Sequence, residues 1–178
     1  MHRIPHGLIA LCLGMNISIA ADVGSESPAI SQRPGKEVLD RFVGTWKGEV
    51  ETETADGKKT RQNWRNTFTW TLDGAFLKDE GGEVSGGSSF LGMWSYDESL
   101  RRHRSWYFLA DGGQVAELAY GWDGKKRILK GTADLGGGMT LETEDRFIDK
   151  DRYDWSMLVK DKDGRMLQRV AARQTRVR

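Results

Sequence analysis

The residues of this chain that could do chemistry are concentrated in the segment SLRRHRSWYFLA, residues 99–110. The segment holds three arginines and His103, the only histidine after the first 20 residues. In an extended strand Arg104 shares one face with Trp106, while Tyr107 lies on the other face. An inward Arg104 could clamp a carboxylate, because a buried guanidinium forms paired hydrogen bonds with that group. Both faces are apolar, so alternation alone leaves open which one points inward.

Bulky aromatic residues are dense in the middle of the chain, and they could stack on an apolar ligand. The same rings could instead simply fill the protein interior, and the sequence leaves both interpretations open. Asp145 adds a carboxyl group on the apolar face of its strand, whereas Glu142 and Glu144 fall on the opposite face. The residues that we predict to bind a ligand are Trp94, Arg104, Trp106, Tyr120, Trp122 and Asp145.

Catalysis has few candidate residues in this sequence. Cys12 is the only cysteine, so a nucleophile and base pair is hard to assemble, and no Gly-x-Ser-x-Gly elbow occurs. The glycine clusters at 81–87 and 136–138 lack the Lys-Ser or Lys-Thr of a phosphate loop. The acidic turn at 161–163 lacks the distal glutamate of a calcium loop. We therefore expect no catalytic residue, no bound metal and no cofactor.

The elements that must position these residues are strands. After Gly44, apolar residues recur at every second position as far as the C-terminus, which is the period of a β-strand. Five Asp-Gly dipeptides interrupt the alternation, and Asp-Gly between alternating runs indicates a hairpin because both residues tolerate positive φ. The pattern predicts about ten antiparallel strands, at 45–53, 61–72, 75–83, 88–97, 103–109, 114–122, 126–133, 139–148, 152–160 and 165–175.

One short helix is predicted ahead of the strands. The segment KEVLDRFV, residues 36–43, places two pairs of apolar residues four positions apart. A ten-stranded meander leaves two edges unpaired unless it closes, and one short helix cannot cover an open sheet. We predict an all-β fold, an antiparallel up-and-down β-barrel of about ten strands preceded by this helix. A sandwich is the alternative.

The N-terminus has the layout of a secretory signal peptide. Arg3 precedes an apolar run that ends in Ser18-Ile19-Ala20, so cleavage is expected after Ala20. We predict a signal peptide at 1–20, a flexible leader at 21–35 and a single barrel domain at 36–178, exported to the periplasm or the medium. Cleavage removes one base and no acid, leaving equal numbers of each. We therefore expect no binding to nucleic acid and no membrane insertion.

Three segments together resemble a known superfamily. LDRFVGTWKGEV, with Gly-x-Trp at the first strand, FLGMWSYDE, and RVAARQTR near the C-terminus are similar to the calycins, the lipocalins and fatty-acid-binding proteins. They look most like a family of secreted bacterial lipocalin-like domains of undefined function. The resemblance covers residues 37–176. It implies that Trp46 plugs the closed end of the barrel and that Arg173 or Arg176 packs over its ring.

The Gly-Thr-Trp-x-Gly opening is also similar to the nitrobindins, which hold haem through a histidine. In those proteins the histidine lies near the C-terminal end, and the C-terminal third of this chain contains none. Haem bound through His103 is therefore a minor alternative, because a lone histidine on a polar strand is more often a surface or hydrogen-bonding residue.

The leading functional hypothesis is a secreted, non-catalytic barrel that binds a small apolar or amphipathic molecule. The first alternative is a barrel with a packed interior that acts as a protein-interaction module of the cell envelope, for which aromatic residues on both faces of 88–97 and 103–109 provide a surface. The second alternative is an enzyme, either a haem-binding barrel of the nitrobindin type that acts through His103 or an isomerase or hydrolase that uses Asp145 and Arg104 in the lumen.

Overall fold

The computed structural model describes residues 35–178, without the side chains of 114–116. One short helix, α1, spans Lys36–Leu39. Ten strands follow, β1 Gly44–Thr54, β2 Lys59–Thr71, β3 Phe76–Glu83, β4 Ser89–Asp97, β5 Arg102–Leu109, β6 Gln114–Asp123, β7 Ile128–Gly136, β8 Met139–Phe147, β9 Arg152–Lys160 and β10 Met166–Arg176. The predicted signal peptide and all but the last residue of the predicted leader lie outside the described residues.

The ten strands form a closed antiparallel barrel in which each strand pairs with its neighbours along the chain. Closure is made by β1 and β10, which pair from Trp46 with Arg176 to Thr54 with Gln168. Pairing every strand on both sides removes the open edges that would otherwise invite aggregation. The predicted fold, an up-and-down barrel of ten strands with one short helix, is confirmed, and the sandwich alternative is wrong.

The hairpins are shaped by the Asp-Gly dipeptides. Between β1 and β2, Gly57 has a φ of 80°, which a residue with a side chain adopts only with strain. The Asp56 carboxylate accepts hydrogen bonds from the Thr54 hydroxyl at 2.5 Å and the Lys58 backbone amide at 3.2 Å. Such local side-chain bonds hold the turn in place.

One end of the barrel is closed by α1 and the turn that follows it. Val38, Leu39 and Phe42 are fully buried, and Phe42 packs against the rings of Phe68 and Phe147 at 5.1 and 4.8 Å. The helix is shorter than predicted because the chain turns after Leu39, with Phe42 bonded to the Leu39 carbonyl. The apolar face still points into the barrel end.

Trp46 lies at the centre of this closed end with none of its surface exposed. Its indole Nε1 donates to the Phe42 carbonyl oxygen at 2.6 Å. The Arg176 guanidinium lies 4.1 Å from the centre of its ring and donates to the carbonyl oxygens of Arg41 and Val43. Arg173 is not the cover, since its side chain is 77% exposed and pairs with Asp154. Strand alternation turns Arg173 outward, and the implied cover is therefore Arg176.

Candidate functional site

The middle of the barrel and its second end are not filled. A cavity of about 1000 Å³ occupies the lumen, and its mouth is formed by the hairpin ends at Gly87–Ser89 and Leu109–Asp111. Much of the wall is apolar, with Leu118, Leu141 and Val170 among its residues. Barrels of this strand number are wide enough to hold one small molecule, and ligand pockets in general are concave and mostly apolar.

Two carboxyl groups lie inside this cavity on opposite walls. Asp79 is on β3 and Asp145 on β8, five strands apart in either direction around the ring. They are only 2% and 4% exposed. Asp79 accepts a hydrogen bond from the Asn66 side chain at 3.1 Å, whereas Asp145 Oδ2 has no hydrogen-bond partner among the described residues. A buried carboxyl group without a partner is costly and is therefore a candidate for ligand recognition.

Burial changes the protonation of both carboxyl groups. It raises the pKa of Asp79 to about 8, with a smaller opposing effect from the Asn66 hydrogen bond. It also raises the pKa of Asp145 well above its ordinary value, and the charge of Asp79 raises it further. Removing an anion from water disfavours its charged form. Asp79 therefore holds its proton near neutral pH in the ligand-free protein, and burial favours the protonated form of Asp145 as well.

Aromatic rings surround the carboxyl groups. The ring centres of Trp94 and Tyr120 are 4.7 Å apart, and Tyr107 meets Trp94 edge to face at 6.1 Å. The Tyr120 hydroxyl is 2.9 Å from the Ser105 hydroxyl, while Trp94 Nε1 has no partner among the described residues. Gln174 contributes a second unpartnered acceptor, its Oε1 atom. The lumen thus combines flat apolar walls with a few unpaired polar atoms.

Glycines on the inner face make room for these rings. A Cβ atom on Gly131 would lie 2.4 Å from the Tyr120 ring, and one on Gly92 would lie 2.8 Å from the Tyr107 ring. Real Cβ atoms do not approach other atoms so closely, so any larger residue would displace the tyrosines. The missing side chains at these positions therefore leave the space that the two tyrosine rings occupy.

The structure brings together three of the six predicted ligand-binding residues. Trp94, Tyr120 and Asp145 all line the cavity. Trp122 instead lies at the closed end, where its ring is 6.0 Å from Phe147 and is covered by the Arg41 guanidinium at 5.4 Å. Its contacts are those of a barrel plug.

Arg104 and Trp106, which we also predicted to bind a ligand, do not line the cavity. Arg104 lies outside the barrel, where it forms a two-point ion pair with Glu117 at 2.5 and 2.6 Å and a further bond to Asp97. Its guanidinium is 5.1 Å from the Trp106 ring. The physical reason is register, because Ser105 pairs with Trp94 and Leu118 on the inner face and so turns Arg104 outward. The expected clamp for a carboxylate ligand does not form.

Sequence reasoning missed the inward residues Asn66, Asp79 and Gln174. Asp79 lies two positions after the buried Leu77, whereas Lys78 and Glu80, on either side of Asp79, pair with each other on the outer face. That alternation was a usable signal. Asp79 was overlooked because Gly81, and not an apolar residue, follows it on the inner face of β3.

His103 is buried at the closed end and does not line the cavity. Its Nε2 atom is 2.8 Å from the Gly35 carbonyl oxygen, and its ring packs against Tyr96 at 5.0 Å. Burial lowers its pKa. These contacts do not fit an axial haem ligand, which needs a ring nitrogen aimed into a cavity. Within residues 35–178, no cluster of histidine, cysteine or acidic residues has the arrangement of a metal site.

A second, smaller hollow of about 320 Å³ lies outside the closed end. Charged residues of both signs form its wall, among them Glu37, Arg41 and Arg176. Arg176 already uses its guanidinium on the backbone and on the Trp46 ring. This hollow is therefore part of the structure that closes this end of the barrel around Trp46. In the part of the chain that the structure describes, no helix is both long and apolar enough to span a membrane.

No protein-family model and no curated protein matches the sequence. Solved structures do match the fold. The S-type phycobiliprotein lyase CPES from Guillardia theta has 12% sequence identity and a TM-score of 0.58, over 84% of this chain and 96% of that one. Rv2717c from M. tuberculosis has 16% identity and a TM-score of 0.58, over 82% and 99%.

A protein of unknown function from the DUF3598 family of Nostoc punctiforme PCC 73102 has 11% identity and a TM-score of 0.54. The match covers 78% of this chain and 49% of that protein, so the chain spans about half of its length. At these identities the likeness concerns the fold alone. The barrel shares the overall fold of these structures.

Proposed function

We propose that this protein binds one small, mostly apolar molecule in the barrel lumen and does not catalyse a reaction on it. The observation that carries the proposal is the open cavity of about 1000 Å³, whose inner wall holds buried polar atoms without partners. Apolar walls with a few convergent polar groups are typical of ligand sites. A lipocalin-like fold is compatible with this role but does not by itself establish it.

The cavity also weighs against the packed-barrel alternative. A solid interaction module would bury its aromatic residues against one another, whereas Trp94, Tyr107 and Tyr120 border open space. On the outer face Trp106 is covered by Arg104 and lies 6.3 Å from Phe76. This outer surface therefore offers less uncovered aromatic area to a protein partner than the sequence indicates. A protein partner for the outer face stays a prediction.

A neutral dye tests lumen binding directly. Nile red should gain fluorescence and shift to shorter wavelength when the purified protein is titrated into it, because the dye enters an apolar site. Val170→Trp places a large ring in the cavity and should abolish the signal. Ala171→Trp adds the same ring on the outer face of the same strand and should leave the signal unchanged. Equal signals from both variants would overturn the proposal.

We also propose that the protein is exported, on the strength of the signal-like N-terminus. Expression of the full chain in a bacterial host, followed by mass measurement of the soluble periplasmic fraction, tests this. The expected product begins at Ala21. Recovery of the intact chain from the cytoplasm alone would contradict export and leave the proposal of lumen binding untouched.

A further inference from the structure

We propose that the polar end of the ligand is an organic cation, such as a protonated amine, held between Asp79 and Asp145. This inference rests on the proposed lumen binding and specifies its chemistry. It differs from the carboxylate ligand that an inward Arg104 would have implied.

The charges of the residues that line the cavity favour a cation. Among the described residues that line the cavity, the only ionisable ones besides tyrosine are acidic, namely Asp79, Asp145 and, at the mouth, Asp111. None of them is lysine, arginine or histidine. An anionic head group would enter a low-dielectric space beside two carboxyl groups with no compensating charge, which is strongly unfavourable. A bound cation would instead favour the charged forms of the carboxyl groups, which would then supply its countercharge.

The unpartnered hydrogen-bonding atoms of the cavity wall also favour a cation. Two of the unpartnered atoms on the cavity wall, Asp145 Oδ2 and Gln174 Oε1, are acceptors. A protonated amine has only donors and can satisfy more than one acceptor at once. Trp94 Nε1 is an unpartnered donor. The excess of acceptors favours a ligand rich in N–H groups.

The aromatic rings that line the cavity favour a cation as well. Trp94, Tyr107, Tyr120 and Tyr153 all line the same cavity as the two carboxyl groups. Ring faces attract cations, and the attraction is greatest where water is excluded. Burial raises the pKa of each of the three tyrosines well above its ordinary value, so these rings stay neutral. The walls therefore suit the apolar body and the charged end of an amine.

Binding should be linked to pH. In the ligand-free protein burial favours the protonated forms of both carboxyl groups, whereas a bound cation favours their charged forms, so binding should release protons. The strands packed around the carboxyl groups contribute the neutral Asn66 and Gln174 and the three tyrosines, and Asp111 at the mouth is the one further ionisable group among the described lining residues. The outward Glu80 and Glu144 act through their charge alone. Affinity for a cation should therefore rise between about pH 6 and about pH 8.

Three probes with one skeleton test the inference, namely 2-naphthylmethylamine, 2-naphthalenemethanol and 2-naphthoate. Isothermal titration of the folded protein at about pH 8 should show the amine binding at least tenfold more tightly than the carboxylate. At about pH 6 the amine should bind about tenfold more weakly, while the neutral alcohol is unchanged.

The variants Asp79→Asn and Asp145→Asn keep the side-chain shape and should remove the preference for the amine while leaving the alcohol's affinity within about twofold. Glu80→Gln and Glu142→Gln make the same chemical change on the outer face of the same strands and should keep the preference. Circular dichroism confirms that each variant is folded. The Asp145→Asn variant alone tests the inference if loss of the Asn66 contact unfolds Asp79→Asn.

The outcomes separate the two proposals. Equal affinity for all three probes, or tighter binding of the carboxylate, would overturn the cation inference and leave lumen binding supported. Binding of none of the three would count against both. A preference for the amine that survives both asparagine variants would show that other groups recognise the charge and would overturn the assignment to Asp79 and Asp145.

Discussion

The two ends of this barrel contain similar aromatic residues but treat their polar atoms differently. At the closed end Trp46 Nε1 is bonded to a carbonyl oxygen, and Arg176 covers the ring while bonding to the backbone. In the lumen, Trp94 Nε1 and Asp145 Oδ2 are buried as well, and neither has a hydrogen-bond partner within the part of the chain that the structure describes. Buried polar groups are costly when unpaired. His103 Nδ1 at the closed end is also buried without a partner, but three of the four such atoms among the described residues line the lumen. The closed end is thus built mainly for stability, and the lumen retains most of the groups suited to a ligand.

Removing the plug should have the largest effect on stability. Trp46→Ala deletes a fully buried indole that packs at 4.8 Å against Tyr153, and such truncations cost about 3–5 kcal/mol. Chemical denaturation should show this loss. Trp106→Ala, outside the barrel, should cost far less. Similar losses in both variants would contradict the assignment of Trp46 as the plug.

Replacing a lumen carboxyl group should raise the stability of the protein at high pH, whereas removing Trp46 lowers it. The folded-state pKa of Asp79 is about 8 and its unfolded value is near 3.8. The free energy of unfolding is therefore highest below about pH 4 and falls as the pH rises to about 8, because folding in that range requires the carboxyl group to take up a proton. The slope is about 1.4 kcal/mol per pH unit for each such group. Asp79→Asn and Asp145→Asn should therefore be more stable than the wild type at about pH 8 and similar to it at about pH 4.

Measurement of the urea midpoint across that pH range checks this prediction. Glu142→Gln, on the outer face of β8, serves as the control and should leave the pH profile unchanged. An Asp145→Asn variant that is less stable than the wild type at about pH 8 would mean that the carboxylate is stabilised in the empty lumen.

A smaller loss of stability is expected when a methyl group is added at a glycine of the inner face. Gly131→Ala pushes a methyl group against the Tyr120 ring, and overpacking of this kind costs about 1–3 kcal/mol. Gly121→Ala is the matched control, because nothing lies within 4 Å of its added Cβ. Thermal melts of the two variants should differ. Equal melting temperatures would show that Tyr120 does not depend on Gly131.

The smallest effect distinguishes the two C-terminal arginines. Arg176→Ala removes the guanidinium from the Trp46 ring and from two carbonyl oxygens, and it should cost about 1–2 kcal/mol. Arg173→Ala removes an exposed pair with Asp154, which should cost less than about 1 kcal/mol. A reversed order in denaturant would restore Arg173 as the cover.

The fold was predictable because its signals are local. Alternation and Asp-Gly turns placed all ten strands within a few residues, and closure followed from the need to pair both edges. The faces of β5 were not predictable in this way. Arg104 lies outside because Ser105 pairs across with Trp94 and Leu118, and such pairing depends on neighbouring strands that alternation within one strand does not reveal.

The site was harder to predict because it departs from the pattern that identifies strands. On β3 the inner face after Leu77 consists of Asp79 and Gly81, residue types that are depleted in strands. Local rules fail most often where a sequence serves function. Asp145 was found because Leu141 and Phe147 flank it on the same face, whereas Asp79 has an apolar neighbour on one side only.

The most direct test of the central claim is the mass of the protein under native and then denaturing conditions, after expression of the full chain and purification without added ligand. We predict a native excess of roughly a few hundred daltons that disappears on denaturation, the mass of one small molecule. The released compound should carry a basic nitrogen. Identical masses under both conditions, even after incubation with a cell extract, would contradict the claim that the lumen binds a ligand.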